Sequence, residues 1–137
     1  MAGYSGTPLP RKLGIKPGHS VAFPAAPPSF FEVLGELPDG VRIKQRAAAP
    51  LDLVCAFFTR RASLVRSLDR LALTLHPDGG LWIAWPKRAS GMATDITEDV
   101  VRGLALAGGL VDNKVCAIDH PWSGLRLVYR LRDRPRS

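Results

Sequence analysis

The sequence is poor in cysteine, in aromatic side chains and in long apolar runs. Its 137 residues include two cysteines, and aromatic residues make up 7% of the chain. No apolar run approaches the roughly 20 residues that a membrane-spanning helix needs. The first 14 residues also lack the apolar core of a signal peptide. We therefore expect a cytoplasmic protein without a membrane partner.

The two cysteines are the first candidates for a disulfide or a metal site. Cys55 and Cys116 each lie inside an apolar, strand-like run. Neither has a His, Cys or acidic neighbour at the spacing of metal ligands. We interpret both as buried, reduced thiols. The sequence also has no nucleophile elbow and no phosphate-binding glycine loop.

Acidic residues are scarce toward the carboxyl terminus, whereas the chain as a whole carries a formal net charge of +7. From Arg126 onward there are five arginines and one acid, Asp133. Such a basic tail can bind nucleic acid or an acidic partner. No aromatic residues interleave with these arginines to stack on bases. Nucleic-acid binding is therefore a third hypothesis, behind the two given below.

The hydrophobic pattern predicts strands that alternate with helices. Val41 to Gln45 alternates apolar and polar residues, as a half-exposed edge strand does. Leu51 to Phe58 is almost continuously apolar, which is typical of a strand covered on both faces. The predicted order is an extended segment 1–18, strand 20–23, a helix opening at Ser29, strand 41–45, strand 51–58, helix 61–76, strand 81–85, helix 97–107, strands 114–118 and 125–131, and a disordered basic tail 132–137.

This order predicts a single α/β domain over residues 1–131, with helices on both faces of a mostly parallel sheet. The last two strands are expected to form an antiparallel pair. The orientation of strand 41–45 stays open, because a parallel crossover usually needs a dozen or more residues. Only four residues separate Arg46 from Leu51. An exposed edge at 41–45 would allow either a monomer or a homodimer.

The loop after strand 81–85 is the best candidate site. In open α/β sheets, ligands bind beyond the carboxyl ends of the strands, and cationic side chains before a helix can hold an anion. Trp82 and Trp85 are three residues apart on one strand and should point to opposite faces. The alternative is a solvated loop whose polar residues only cap the helix. The predicted ligand-binding residues are Trp85, Lys87, Arg88, Ser90, Gly91, Thr94 and Asp95.

Several segments resemble the Rossmann-like fold of S-adenosylmethionine-dependent methyltransferases. LGIKPGHSVAFPAA at 13–26 is similar to the entry into that family's first strand. LDLVCAFF at 51–58 resembles its fourth strand, and LHPDGGLWIAWP at 75–86 resembles the approach to its fifth. The last two strands resemble its terminal β-hairpin. The resemblance implies this fold in a reduced form, with a third strand and its helices missing.

The chain departs from that family where the cofactor binds. The glycine-rich loop is replaced by Pro24-Ala25-Ala26-Pro27-Pro28, whose prolines have no N–H to donate. The acid that the family places after its second strand is also missing, since this region reads Lys44-Gln45-Arg46. We therefore expect no cofactor, S-adenosylmethionine included. We also favour a protein that is not an enzyme.

Three further stretches resemble a bacterial family of short proteins, a domain of unknown function. They are YSGTPLPRKLGIKPG, WPKRASGMATDITEDVVR and LVDNKVCAIDHPWSGLRLV. The leading hypothesis is a non-catalytic binding or regulatory module that holds a small anion or a protein partner. The alternative is an enzyme acting on a nucleotide-like ligand, a divergent methyltransferase.

Overall fold

The computed structural model describes residues 7–48 and 50–130. The predicted tail 132–137 lies outside these residues. The helices are α1 (Leu9–Leu13), α2 (Phe30–Leu34), α3 (Arg61–Leu73) and α4 (Glu98–Ala107), with a 3-10 turn at Arg88–Ser90. The strands are β1 (Ser20–Ala22), β2 (Arg42–Lys44), β3 (Leu51–Phe57), β4 (Leu75–Pro86), β5 (Leu110–Asp119) and β6 (Trp122–Tyr129).

The strands form one six-stranded sheet in the order β2-β1-β3-β4-β6-β5. The pairs β2–β1, β1–β3 and β3–β4 are parallel, whereas β6 runs antiparallel to both β4 and β5. This confirms the predicted α/β sheet with an antiparallel pair at the carboxyl-terminal end. At this end of the sheet β5 is the edge strand, and β6 lies between β4 and β5.

The orientation that the sequence left open is parallel, with Ser20 opposite Arg42. A short link suffices because β2 has only three residues. The returning chain therefore covers only about 10 Å along the strand direction. All three residues of β2 are exposed, as expected for an edge strand.

Two apolar cores cover the two faces of the sheet. On one face, α3 and α4 pack through Leu64, Leu68 and Val101 against β3 and β4. On the other, α1 and α2 pack through side chains such as Leu13 and Phe30. Trp82 belongs to the second core and Trp85 to the first. The prediction that the two tryptophans point to opposite faces is confirmed.

Several local predictions differ from the structure. Within the predicted extended segment 1–18, residues Leu9–Leu13 form a helix. Its first turn tolerates proline because those N–H groups have no partner inside a helix. Ser29, where the second helix was expected to open, makes no side-chain capping bond to α2. Residues 77–80, which were expected to separate helix 61–76 from strand 81–85, lie inside β4, where the pairing moves from Leu51–Leu75 to Leu53–Gly80 and leaves a bulge.

The two cysteines differ in how deeply they are buried. Cys55 is buried and Cys116 is half-buried, and both are free thiols. Burial raises the pKa of the Cys55 thiol, and the nearby Cys116 raises it further. Within residues 7–48 and 50–130, no helix is long and apolar enough to cross a membrane.

Candidate functional site at the carboxyl edge of the sheet

The loop after β4 is ordered by bonds within itself and to the β5–β6 turn. The N–H of Lys87 donates to the carbonyl of Pro121 at 2.7 Å. Ser90 Oγ donates to the carbonyl of Lys87 at 2.6 Å and accepts from the N–H of Met92 at 3.1 Å. Gly91 has φ +78°, in the left-handed region that favours glycine. Ser90 and Gly91 therefore shape the turn that presents the Lys87 and Arg88 side chains.

Thr94 and Asp95 tie this loop to the end of β3. Thr94 Oγ1 donates to the carbonyl of Thr59 at 2.7 Å. Asp95 Oδ1 accepts from the backbone N–H of Arg61 at 2.6 Å and so caps α3, a helix distant in the sequence. The alternative interpretation of this loop was that its polar residues cap the following helix, α4. Thr97 does this, accepting from the N–H of Val100 at 3.2 Å.

Four cationic residues follow β3 and β4 at this edge. Arg60 and Arg61 begin α3, while Lys87 and Arg88 follow β4. Within the described ranges, none of these four side chains forms an ion pair. Sequence reasoning overlooked Arg60 and Arg61. Their position directly after a buried strand was the available signal, because strand ends of a parallel sheet meet at one edge.

An aromatic cluster fills the same edge beside β1. Phe23, Phe30, Phe57 and Trp122 are each at most 8% exposed. The Phe30 and Phe57 ring centroids lie 5.0 Å apart, and those of Phe57 and Trp122 lie 5.1 Å apart. Both pairs are edge-to-face, a favourable geometry for packed rings. The sequence analysis did not predict this cluster. The adjacent aromatic residues Phe30 and Phe31 were the available signal.

The loop after β1 is fastened beneath these rings. The N–H of Phe57 donates to the carbonyl of Pro24 at 3.0 Å, and the N–H of Ala26 donates to that of Phe23 at 3.2 Å. Ala25 has φ +60°, a left-handed conformation that glycine adopts with less strain. The loop thus keeps a glycine-type turn although it contains no glycine.

The remaining predicted residues do not converge on an open pocket. The Trp85 indole is 6% exposed and lies in the core beside α3 and α4. Across the described part of the chain, no group of three His, Cys, Asp or Glu residues could hold a metal ion. The loop therefore fastens Lys87 to the β5–β6 turn and Thr94 and Asp95 to the start of α3. Trp85 belongs to the core.

Structural comparison places the fold among methyltransferases. The pyocyanin biosynthetic protein PhzM matches with a TM-score of 0.61 at 11% identity, over 89% of this chain and 53% of PhzM. Magnesium protoporphyrin IX methyltransferase from Synechocystis PCC 6803 with bound SAM gives 0.59 at 11% identity, over 89% of this chain and 74% of that one. A SAM-dependent methyltransferase from Aquifex aeolicus gives 0.58 at 14% identity, over 85% of each chain.

These identities establish the fold alone, and the chain spans about half the length of PhzM. No protein-family model and no curated protein matches the sequence. The resemblance to a domain of unknown function therefore stays a prediction.

The structural comparison contradicts two expectations drawn from the sequence. The expectation that the chain is not an enzyme is wrong, because structures that share its fold include methyltransferases. A cofactor is not ruled out either, because one of them holds SAM.

The residues after β1 do not fit such a cofactor in the conformation described. The Phe30 ring, which is 0% exposed, packs against Phe23 directly after β1 and against Phe57 at the end of β3. Pro24 and Pro27 have no N–H to offer a ligand. The ends of β2 and β4 present cations at this edge instead of the ribose-binding acid.

Proposed function

We propose that the chain is a divergent methyltransferase-like enzyme that takes a nucleotide-like ligand at the carboxyl edge of its sheet. The observation that carries the proposal is the fold: a parallel sheet closed by β6 and β5, similar to SAM-dependent methyltransferases at TM-scores near 0.6. An S-adenosyl compound is the ligand to test first. The site we propose lies over the ends of β3 and β4, beside the filled space after β1.

The charge of this edge supports an anionic group on the ligand. Lys87 and Arg88 have no carboxylate partner in the described chain, and the same holds for Arg60. A guanidinium group forms two parallel hydrogen bonds with a carboxylate or phosphate, and an ammonium group adds a point charge. These side chains would therefore hold the acidic end of the ligand.

Thr94 and Asp95 are positioning residues in this proposal. Their bonds to Thr59 and to the Arg61 N–H fix the loop against the end of β3. The loop is thus fastened at two points, the residues after β3 and the first turn of α3. This preorganisation lowers the entropic cost of ordering the cationic side chains around a ligand.

Isothermal titration calorimetry with S-adenosylhomocysteine tests the proposal. The wild-type protein should bind the compound with one site per chain. Replacing both loop cations, Lys87→Ala with Arg88→Ala, should weaken binding by about tenfold or more, since a hydrogen bond to a charged group is worth roughly 1.5–3 kcal/mol.

A matched control removes two cations elsewhere. Arg66→Ala with Arg70→Ala changes the net charge equally, on the exposed side of α3. This variant should bind as the wild type does. Absence of binding to the wild-type protein, or an equal loss in both double variants, would refute the proposed site.

A further inference from the structure

A cavity of about 210 Å³ lies at the opposite, amino-terminal edge of the sheet, between the end of α1 and the β5–β6 pair. An ordered water occupies about 30 Å³ of liquid volume, so the cavity has room for a polyatomic ion. A second cavity of about 130 Å³ adjoins it through Gly14 and Arg126. The first cavity is lined by Arg11, Lys12, Leu13, Gly14, Asn113, Lys114 and Arg126.

The lining of the first cavity carries four cationic side chains and no acid. The Lys114 ammonium donates to the carbonyl of Lys12 at 2.8 Å, which holds the β5 lysine against the end of α1. Trp82 Nε1 donates to the carbonyl of Leu13 at 2.9 Å on the same face. The cavity wall is therefore fixed by bonds between α1 and the sheet, and its charge is entirely positive.

Arg126 lines both cavities and has no charged partner. It lies on β6 opposite Trp82 and Lys114, and its side chain is half-buried. Among residues 7–48 and 50–130, no carboxylate lies within 4.0 Å of its guanidinium. Burial lowers its pKa, yet an arginine stays charged in proteins. A partly desolvated cation without a counterion destabilises the fold unless an anion completes it.

The guanidinium position is built into the sheet. A Cβ at Gly80 would lie 2.5 Å from Arg126 Nη2 and 2.6 Å from Cζ. Only a glycine on β4 leaves room for the side chain to lie flat across the strand. The absence of a side chain at Gly80 therefore permits this position of the Arg126 guanidinium.

The acids near this edge are engaged or lie in the second cavity. Asp52 accepts from the N–H of Ser20 at 2.8 Å and lies 3.7 Å from His76 Nε2. His19 Nδ1 accepts from the N–H of Lys16, so that ring is also engaged. Asp78 is exposed and lines only the second cavity. No acid therefore lines the first cavity, whereas Asp52 and Asp78 share the second cavity with Arg126.

We propose that this cavity binds a phosphate group, with the Arg126 guanidinium as its floor and Lys12 and Lys114 at its rim. The planar guanidinium matches the paired oxygens of a phosphate, and the lysines supply the second charge that a phosphate dianion needs. The group can come from free inorganic phosphate or from a phosphomonoester. The proposal does not depend on the function proposed for the carboxyl edge.

Calorimetric titration with sodium phosphate, and separately with adenosine 5′-monophosphate, tests this site at matched ionic strength. Arg126→Gln should weaken binding of the phosphate group by about tenfold or more. The control Arg70→Gln removes an exposed cation from the other face and should leave the affinity within about twofold. Tighter binding of the monoester would identify an organic phosphate as the source, and equal binding would identify the free ion.

Two further variants keep the test independent of folding defects. Arg126→Gln should unfold in urea at the same concentration as the wild type or higher, because it removes an uncompensated, half-buried charge. Gly80→Ala should also weaken phosphate binding, since its methyl group displaces a guanidinium that is still present. Unchanged phosphate affinity in folded Arg126→Gln would overturn the proposal. So would Arg126-dependent binding of an oligonucleotide without binding of either small phosphate.

Discussion

The two edges of the sheet use their side chains in opposite ways. At the carboxyl edge, buried rings fill the space after β1. Thr94 and Asp95, in the loop after β4, are bonded to backbone groups. At the amino edge, a cavity remains open, and the half-buried Arg126 has no counterion. The contrast teaches that packing, and not strand order alone, decides which edge of a sheet keeps open space.

The largest expected effect concerns the filled edge. Phe30→Ala should lower the free energy of unfolding by about 3–5 kcal/mol, because it empties a fully buried ring position between Phe23 and Phe57. Urea unfolding followed by tryptophan fluorescence measures the change. Phe31→Ala is the control, since Phe31 is 45% exposed and its loss should matter much less. Equal losses in the two variants would mean that the cluster does not fill this edge.

A smaller effect is expected at the loop that carries the proposed ligand site. Asp95→Ala should cost about 1 kcal/mol of stability, because it removes the cap that Asp95 supplies to the Arg61 N–H. Asp95→Asn keeps an acceptor oxygen and should retain most of that stability. If the alanine variant is as stable as the wild type in urea unfolding, the loop is not fastened to α3 in the way described.

The smallest effect is a change in thiol reactivity at the amino edge. Burial raises the pKa of Cys116, while Lys12 and Lys114 lower it. Phosphate bound between those lysines would offset their charge, so the pKa should rise and less thiolate should be present at pH 8. Alkylation of Cys116 by iodoacetamide should therefore slow when phosphate replaces chloride, whereas buried Cys55 should stay unreactive in both salts. A faster reaction in phosphate would argue against a bound anion there.

The sequence was most informative where the pattern of apolar residues shows which faces of a strand or helix are buried. The continuous apolar run at 51–58 and the stripe of α3 predicted a covered strand followed by a helix, and both form. The antiparallel pair was predicted from strict alternation in β6. The start of β5 was placed four residues late, because Leu110 to Asn113 mixes apolar and polar residues on an edge strand that has solvent beside it.

The candidate sites depended on contacts that no local pattern encodes. Asp95 was expected to cap the helix that follows it, yet its partner is 34 residues earlier in the chain. The Arg126 cavity requires α1, β5 and β6 to meet, and α1 was expected to be an extended segment. The aromatic cluster likewise joins residues from four separate segments. Sequence spacing can place a residue at an edge, but only packing decides whether that edge is open.

The most direct test of the proposed function is hydrogen–deuterium exchange of the wild-type protein with and without S-adenosylhomocysteine. The account predicts slower exchange in residues 87–95 and 58–61, where the ligand would meet the loop after β4 and the start of α3. Exchange in the α1 segment, residues 9–15, should stay unchanged. No protection at 87–95, or protection confined to the amino edge, would contradict a ligand site at the carboxyl edge of the sheet.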